Sequence, residues 1–117
     1  MALPARNRIS QNRDIEKIFK GGRTIRSTFF YIKWVEGTQK NTRFVVIVSN
    51  KVSKKAVIRN KLRRSLQALA LKYTKEASPT SVYDVMIVVT RDFHDQESAS
   101  IKKDFFMVME RLFSPSR

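Results

Sequence analysis

The chain has 117 residues, enough for one compact domain, and its 24 Lys and Arg residues against 10 Asp and Glu residues give a formal net charge of +14. The absence of cysteine excludes a disulfide framework, a zinc–thiolate site and a cysteine nucleophile. No apolar run is long enough to cross a bilayer, and the first residues lack the apolar segment of a secretory signal. These properties predict a single cytoplasmic domain over residues 1–117 that binds a polyanion and no membrane.

Helices and strands are predicted from the periodicity of apolar residues. Residues 1–8 are expected to form a flexible tail. In chain order, the pattern then predicts capping side chains at 10–12, followed by a short helix over 14–19 that ends at Gly21 and Gly22. A strand over 24–34, a turn over 36–41, a strand over 42–49 and a long helix over 54–75 come next. The last elements are a strand over 83–89, a loop over 92–98 and a helix over 100–113. We interpret the order as αβββαβα, with one strand more than the three located above, and the class as an α+β fold in which helices pack on a mixed sheet.

The start of the long helix carries the strongest functional signal. Seven of the 14 residues from Lys51 to Arg64 are basic, and none is acidic. An apolar stripe at helical spacing can pack on the sheet, while a polar arc beside it faces outwards. That arc consists of Arg59, Asn60, Arg63 and Arg64. The planar fork of arginine is suited to bidentate contact with phosphate.

A solvated basic helix face is the simpler interpretation of this segment. Like charges in neighbouring turns repel one another, however, and no acid within the segment relieves them. No acid at all lies between Glu36 and Glu76, while 11 basic residues lie from Lys40 to Lys75. Nucleic acid is favoured over a membrane surface as the partner, because no basic helix has the broad apolar face of an interfacial anchor.

Four segments resemble the bacterial ribonuclease P protein family. Residues 56–64 read AVIRNKLRR and look like the family's motif A-x-x-R-N-R-[IL]-[KR]-R. Residues 7–22 are similar to its opening R-x-R-L…D-F-x-x-[VI]-F-x-x-G, residues 43–51 to its strand R-x-G-[LI]-x-V-[SA]-K-K, and residues 84–89 to its strand D-[YFV]-[VI]-[VI]-[VI]-[AP]. The resemblance covers nearly the whole chain, in order and with matching spacing.

This resemblance implies a fold and a function. The implied fold is a single αβββαβα domain with a central four-stranded mixed sheet and a left-handed βαβ crossover, against the right-handed norm. The implied function is that of the protein subunit of ribonuclease P, the ribonucleoprotein endonuclease that removes the 5′ leader from precursor tRNA. In this family the RNA subunit is the catalyst and holds the magnesium ions, so no catalytic residue, cofactor or metal site is expected in the protein. The implied partners are one catalytic RNA and precursor tRNA.

Two sets of RNA-binding residues follow from the resemblance. The set implied to bind the RNA subunit lies in and just before the long helix and consists of Lys51, Lys54, Lys55, Arg59, Asn60, Lys61, Arg63 and Arg64. The set implied to bind the leader lies between the first helix and the sheet and consists of Ile15, Phe19, Phe30, Lys33, Ile47 and Ser49. Unpaired leader bases can stack on aromatic side chains there. Burial of Phe19 and Phe30 in the core is the alternative.

The chain departs from the family pattern at four positions. Lys61 stands where the motif has its second arginine, which keeps the charge but loses the bidentate fork. Asn50 replaces the first lysine of the K-K pair, Val45 replaces a glycine, and Ile15 replaces an aromatic residue of the cleft. The last change removes one stacking surface from the implied leader site.

Two other functions are weighed against this one. A self-sufficient nuclease needs clustered carboxylates for metal ions or a pair of histidines. His94 is the only histidine, and loop solvation and helix capping explain Asp92, Asp95 and Glu97. A structural or ribosome-associated RNA-binding protein would share the basic character of the chain. The residues around Arg59 and the matching flanking segments favour the ribonuclease P subunit over a structural or ribosome-associated protein.

Overall fold

The computed structural model describes residues 3–38, 40–77 and 81–113. After a 3₁₀ turn at Ala5–Asn7, the elements in chain order are α1 (Asn12–Gly21), β1 (Arg23–Arg26), β2 (Phe30–Glu36), β3 (Arg43–Ile47), α2 (Ala56–Ala77), β4 (Tyr83–Val89) and α3 (Ser98–Phe113). The predicted order αβββαβα is confirmed. Among the helices so described, none is long and apolar enough to cross a membrane.

The four strands form one mixed sheet in the order β1-β2-β4-β3. β1 pairs antiparallel with β2, and β2 pairs antiparallel with β4. β3 runs parallel to β4 and is joined to it through α2, so the three elements form a βαβ unit. The α+β class with a four-stranded mixed sheet is confirmed. The left-handed sense of the crossover stays a prediction from the resemblance.

The single strand predicted over 24–34 is a hairpin of two strands. Arg26 pairs with Tyr31 across it, and the Ser27 N–H donates to the Phe30 carbonyl oxygen at 2.8 Å. Residues 27–29 form the turn and include no Gly, Asn, Asp or Pro, which usually mark a hairpin. The composition of residues 24–34, which is rich in apolar and β-branched residues, therefore did not indicate the turn.

The N-terminal segment is packed onto the domain from Leu3 onwards, so the prediction of a flexible tail is wrong for residues 3–8. Only 3% of the Leu3 surface is exposed. Asn7 Nδ2 donates to the Thr42 carbonyl oxygen at 2.9 Å, and Arg8 forms a parallel bridge to β3. The segment thereby covers part of the outer edge of β3, whose backbone groups would otherwise lack partners. Residues 1 and 2 of the predicted tail lie outside the described part of the chain.

The two faces of the sheet are covered unequally, because side chains alternate between the faces along each strand. α2 and α3 pack on one face and form the main core, which includes Phe30, Ile32, Phe44, Leu66, Ile87 and Phe105. α1 packs on the other face, where the fully buried residues are Ile9, Ile18 and Met86. We call the second face the α1 face.

The end of α1 is fixed by a close approach to β2. A Cβ atom at Gly22 would lie 2.5 Å from the Ile18 carbonyl oxygen and 3.1 Å from the Trp34 carbonyl oxygen. Only glycine fits there without a backbone shift. The predicted helix stop at Gly21 and Gly22 is confirmed, and it sets how closely α1 lies against the sheet.

α2 begins two residues later than predicted. The Lys55 carbonyl oxygen accepts the first helical hydrogen bonds, from the N–H groups of Ile58 and Arg59. Ser53 Oγ accepts from the Lys55 N–H at 3.3 Å and so stabilises the turn before the helix. Lys54 and Lys55 therefore lie in the turn that leads into α2.

Candidate nucleic-acid interface

A strongly basic surface is formed by the first turns of α2 and the loop before them. We call it the basic surface of α2, and its members are the eight residues predicted to bind the RNA subunit: Lys51, Lys54, Lys55, Arg59, Asn60, Lys61, Arg63 and Arg64. Arg59 and Arg63 are partly buried, and the other six are exposed. In the described residues, no carboxylate forms an ion pair with any of these seven cations. Their charge is available to an external anion.

Two arginines of this surface are held in place by neutral partners. Arg59 Nη1 donates to the Ser53 carbonyl oxygen at 2.9 Å, which joins the helix to the preceding loop. Arg63 Nη1 donates to Asn60 Oδ1 on the previous turn. Each guanidinium keeps further N–H groups for phosphate, because arginine has five donors. The two contacts restrict side-chain motion, which lowers the entropic cost of binding an anion.

The opposite side of α2 anchors the surface to the main core. Leu62 and Leu66 expose 1% and 0% of their surface. Val57 is different, because 72% of it is exposed and it lies beside Asn60 and Arg64 on the helical wheel. The sequence analysis missed Val57 as part of the surface. Its signal in the sequence was its position next to Arg64 on the helical wheel, on the side away from the apolar stripe.

A partly exposed strip of the α1 face runs beside α1. We call it the α1 cleft, and its lining residues are Ile15 and Phe19 of α1, Tyr31 and Lys33 of β2, Ile47 of β3 and Val88 of β4. Tyr31, Val88 and Ile47 lie side by side across three strands. All except Phe19 are partly buried, so the floor of the cleft is apolar but accessible.

Phe19 and Lys33 form the wall of the cleft. Phe19 is 58% exposed, so the alternative that places this residue in the core is wrong. Lys33 Nζ donates to the Phe19 carbonyl oxygen at 3.1 Å and lies 4.7 Å from the centroid of its ring. One face of the ring therefore carries a cation, which leaves the other face for stacking.

Phe30 does not line the cleft, contrary to the prediction from the resemblance. It exposes 1% of its surface and packs against Phe105 at a centroid distance of 5.9 Å in the main core. The cleft position belongs to Tyr31, the next residue, whose ring has Arg26 Cζ 5.4 Å from its centroid. The error was visible in the sequence. Phe30 and Lys33 are three residues apart in a strand, so they cannot share a face.

Ser49 lies where the cleft meets the basic surface of α2. It is exposed just after β3, and its Oγ accepts from the Lys51 N–H at 3.3 Å. Its carbonyl oxygen accepts from the Val52 N–H at 3.1 Å. The predicted leader set and the predicted RNA-subunit set are therefore joined by one short loop.

Arg43 sets the position of the N-terminal end of α1. Its Nε and Nη2 donate to the two carboxylate oxygens of Asp84 at 3.0 and 2.8 Å, and Nη2 lies 3.5 Å from Asp14 Oδ2. The hydrogen bonds with Asp84 raise the pKa of Arg43 above its ordinary value. A strand residue thus links β4 to α1 through a part-buried ion pair. Arg43 and Asp84 were not singled out individually from the sequence.

The acidic loop after β4 is structural. Asp92 Oδ1 accepts from the His94 N–H at 2.9 Å and lies 2.7 Å from His94 Nδ1. Burial acts to raise the pKa of Asp92, but these contacts with His94 outweigh it and lower the pKa. Within the described ranges, no three His, Asp or Glu residues are grouped so that they could hold a metal ion.

Residues 3–113 match the model of a protein family described as Ribonuclease P. The chain belongs to the ribonuclease P protein family. It is 30% identical over 115 residues to the ribonuclease P protein component of Synechocystis sp., a match that covers 97% of this chain and 88% of that relative. It is 27% identical over 109 residues to the ribonuclease P protein component of Syntrophomonas wolfei, with coverages of 93% and 89%.

The fold is also that of a solved ribonuclease P protein. The structure of the Staphylococcus aureus RNase P protein superposes on this chain with a TM-score of 0.77 and covers 91% of this chain and 94% of that chain. The sequence identity is 21%, so this likeness concerns the fold. The predicted membership of the ribonuclease P protein family is confirmed.

Proposed function

We propose that this chain is the protein subunit of ribonuclease P, and that it assists the removal of the 5′ leader from precursor tRNA. The basic surface of α2 binds one catalytic RNA subunit, and the α1 cleft binds the leader. The observation that carries the proposal is the set of seven cations on and before α2 that no carboxylate neutralises in the described residues. An RNA backbone supplies the missing anions.

Catalysis is assigned to the RNA subunit, which would hold the magnesium ions. Hydrolysis of a phosphodiester by protein groups requires clustered metal-binding carboxylates or paired acid–base residues. The chain has one histidine, and its nearest partners are the loop residues Asp92 and Asp95. The contribution of the protein is therefore to position two RNAs relative to one another.

The leader is expected to bind through its bases in the α1 cleft. Single-stranded bases stack on aromatic rings without strong sequence preference. Phe19 presents an exposed ring at the wall, and Tyr31 presents a second ring on the floor. Lys33 and Arg26 lie beside these rings and can attract the leader phosphates.

The contact with the RNA subunit is tested best at Lys61 and Arg64. Both are exposed and form no side-chain hydrogen bond or ion pair in the described residues, whereas replacing Arg59 would also break its hydrogen bond to the Ser53 carbonyl oxygen. Replacing Lys61 and Arg64 together by glutamine should weaken binding of the RNA subunit by roughly 2–4 kcal/mol, at about 1–2 kcal/mol per charge-assisted contact. The wild-type log–log salt slope should be on the order of −4 to −8 and should become shallower by about 1.8 in the variant.

The matched control removes two cations from α3. Lys103→Gln with Arg111→Gln changes the net charge equally, and α3 contributes no residue to the basic surface of α2. Equal losses for the two double variants would show that net charge, and not the basic surface of α2, determines binding. The affinities can be measured by filter binding of labelled RNA at several salt concentrations.

The leader contact is tested by comparing precursor tRNA with mature tRNA. Phe19→Ala and Tyr31→Ala should each weaken binding of precursor tRNA to the reconstituted enzyme by roughly 1–3 kcal/mol, the energy of one stacked base. Tyr31→Phe keeps the ring and should bind normally. Mature tRNA has no leader and should bind all variants equally, so a matching loss for mature tRNA would remove the cleft from the mechanism.

A ribosome-associated RNA-binding protein is the competing function. The protein alone should not cleave precursor tRNA, and cleavage should begin when a ribonuclease P RNA is added at low magnesium concentration. Sequencing of the RNA that copurifies with the protein separates the two functions directly. Recovery of ribosomal RNA in place of a ribonuclease P RNA would favour the competing function.

A further inference from the structure

A second basic groove lies at the end of β3 away from α2. It has a volume of about 710 Å³ and is bounded by the N-terminal segment, the start of α1 and the loop between β2 and β3. Its charged lining residues are Arg6, Arg8, Arg13, Asp14, Lys40 and Arg43. We call it the N-terminal groove. None of its residues belongs to the basic surface of α2 or to the α1 cleft.

The fold does not neutralise this groove. Arg43 is held by Asp84 and Asp14, and Asp14 is the one acid in the described lining. The four other cations, Arg6, Arg8, Arg13 and Lys40, are exposed. They form no ion pair in the part of the chain that the structure describes. Four like charges around one concave surface raise the local potential, which favours a bound polyanion.

The N-terminal segment is fixed in place, so the groove is preformed. Leu3 is buried, and the Asn7 side chain bonds to the Thr42 carbonyl oxygen. The Ile9 N–H donates to the Phe44 carbonyl oxygen at 3.0 Å. These contacts hold Arg6 and Arg8 opposite the loop that carries Lys40. A preformed site loses less conformational entropy on binding than a free basic tail.

α1 connects the groove to the α1 cleft. Gln11 at the start of α1 lines the groove, and Phe19 near its end forms the cleft wall. They are eight positions apart, which corresponds to about 12 Å along the helix. The basic surface of α2 follows the opposite end of β3. An RNA strand that leaves the cleft along α1 therefore reaches the groove within a few nucleotides. It does so on the side of the domain away from α2.

We propose that the N-terminal groove binds the phosphodiester backbone of the distal part of the precursor tRNA leader, upstream of the nucleotides in the α1 cleft. This inference rests on the proposed binding of the leader and adds a second contact to it. The groove offers cations without an exposed aromatic ring, so it contacts phosphates and not bases. Contacts of this kind add affinity without sequence preference.

The test uses the reconstituted ribonucleoprotein and three substrates. These are precursor tRNA with a long leader, precursor tRNA with a leader that ends just beyond the α1 cleft, and mature tRNA. The variant is Arg6→Gln with Lys40→Gln, which removes one cation from each side of the groove. The matched control is Lys103→Gln with Arg111→Gln on α3.

The groove variant should bind the long-leader substrate roughly 5- to 30-fold more weakly, as expected for two exposed charge contacts. The salt slope for that substrate should become shallower by about 1.4. Binding of the short-leader substrate, of mature tRNA and of the RNA subunit should be unchanged, and the control should bind all substrates as the wild type does. Unchanged affinity for the long leader, or equal loss for all three substrates, overturns the proposal.

The wild-type protein separates this inference from the proposed function. If its affinity rises from mature tRNA to the short leader but not from the short to the long leader, the cleft contact stands and the groove contact is wrong. If its affinity is the same for all three substrates, leader binding itself is wrong.

Discussion

The two faces of the sheet belong to the same four strands, but the helices cover them to different extents. On the face covered by α2 and α3, Phe30, Ile32 and Ile87 each expose 1% of their surface or less. On the α1 face, the facing residues Tyr31, Val88 and Ile47 stay partly exposed, because α1 has only ten residues and leaves part of the sheet uncovered. Both faces are apolar, so apolar character alone does not separate the core from the proposed binding site. The extent of the covering helix makes the difference.

A comparison of Phe30 with Phe19 gives the largest expected effect. Phe30→Ala should lower the free energy of unfolding by about 3–5 kcal/mol, because it leaves a cavity in the main core. Phe19→Ala should lower it by less than about 1 kcal/mol, because most of that ring is already in water. Chemical denaturation of the two variants measures both values. Similar losses would contradict the assignment of Phe30 to the core and Phe19 to the cleft.

The pKa of Tyr73 tests how well the main core, formed where α2 and α3 pack on the sheet, excludes water. Burial, together with the hydrogen bond that Tyr73 donates to Glu110 at 3.1 Å, raises the pKa of Tyr73 to about 12. Because this lies above the ordinary value of 10.0, the group contributes its full stability below about pH 10 and loses it as the pH rises towards 12. The wild type should therefore lose about 1 kcal/mol relative to Tyr73→Phe by about pH 11.

Chemical denaturation of the wild type and Tyr73→Phe at several pH values measures this difference. Comparing the two proteins cancels the titration of the lysines and of the other tyrosines. A difference that does not change between about pH 9 and about pH 11 would mean that water reaches the Tyr73 hydroxyl in the folded protein.

Replacing Lys33 tests the α1 face and gives the smallest expected effect. Lys33→Met removes the cation beside Phe19 and the hydrogen bond to its carbonyl oxygen, which should change stability by less than about 1 kcal/mol. Binding of precursor tRNA should weaken by roughly 0.5–1 kcal/mol, and the salt slope should become shallower by about 0.7. Lys103→Met on α3 is the control. A loss of stability as large as that of Phe30→Ala would show that Lys33 is a structural residue.

Much of the basic surface of α2 could be predicted from the sequence. The run of cations without an acid and the apolar stripe of Leu62 and Leu66 are local features. Because a helix has a fixed period, the spacing of residues in the sequence determines the side of the helix on which each residue lies. All eight predicted residues lie in the first turns of α2 or in the loop before it, and all are exposed or partly buried. The partners of Arg59 and Arg63 are also local, within six residues along the chain.

The cleft and the N-terminal groove required the tertiary structure. The α1 cleft brings together residues of α1, β2, β3 and β4, and the groove brings together the N-terminal segment and the loop before β3. Strand alternation shows that Phe30 and Lys33 cannot both face the cleft, but only the packing of distant elements shows that Tyr31 and Lys33 are the residues that face α1. The turn at residues 27–29 and the docking of residues 3–8 were missed for the same reason. Their hydrogen bonds join β1 to β2 and the N-terminus to β3, and no local pattern in the sequence encodes such pairings.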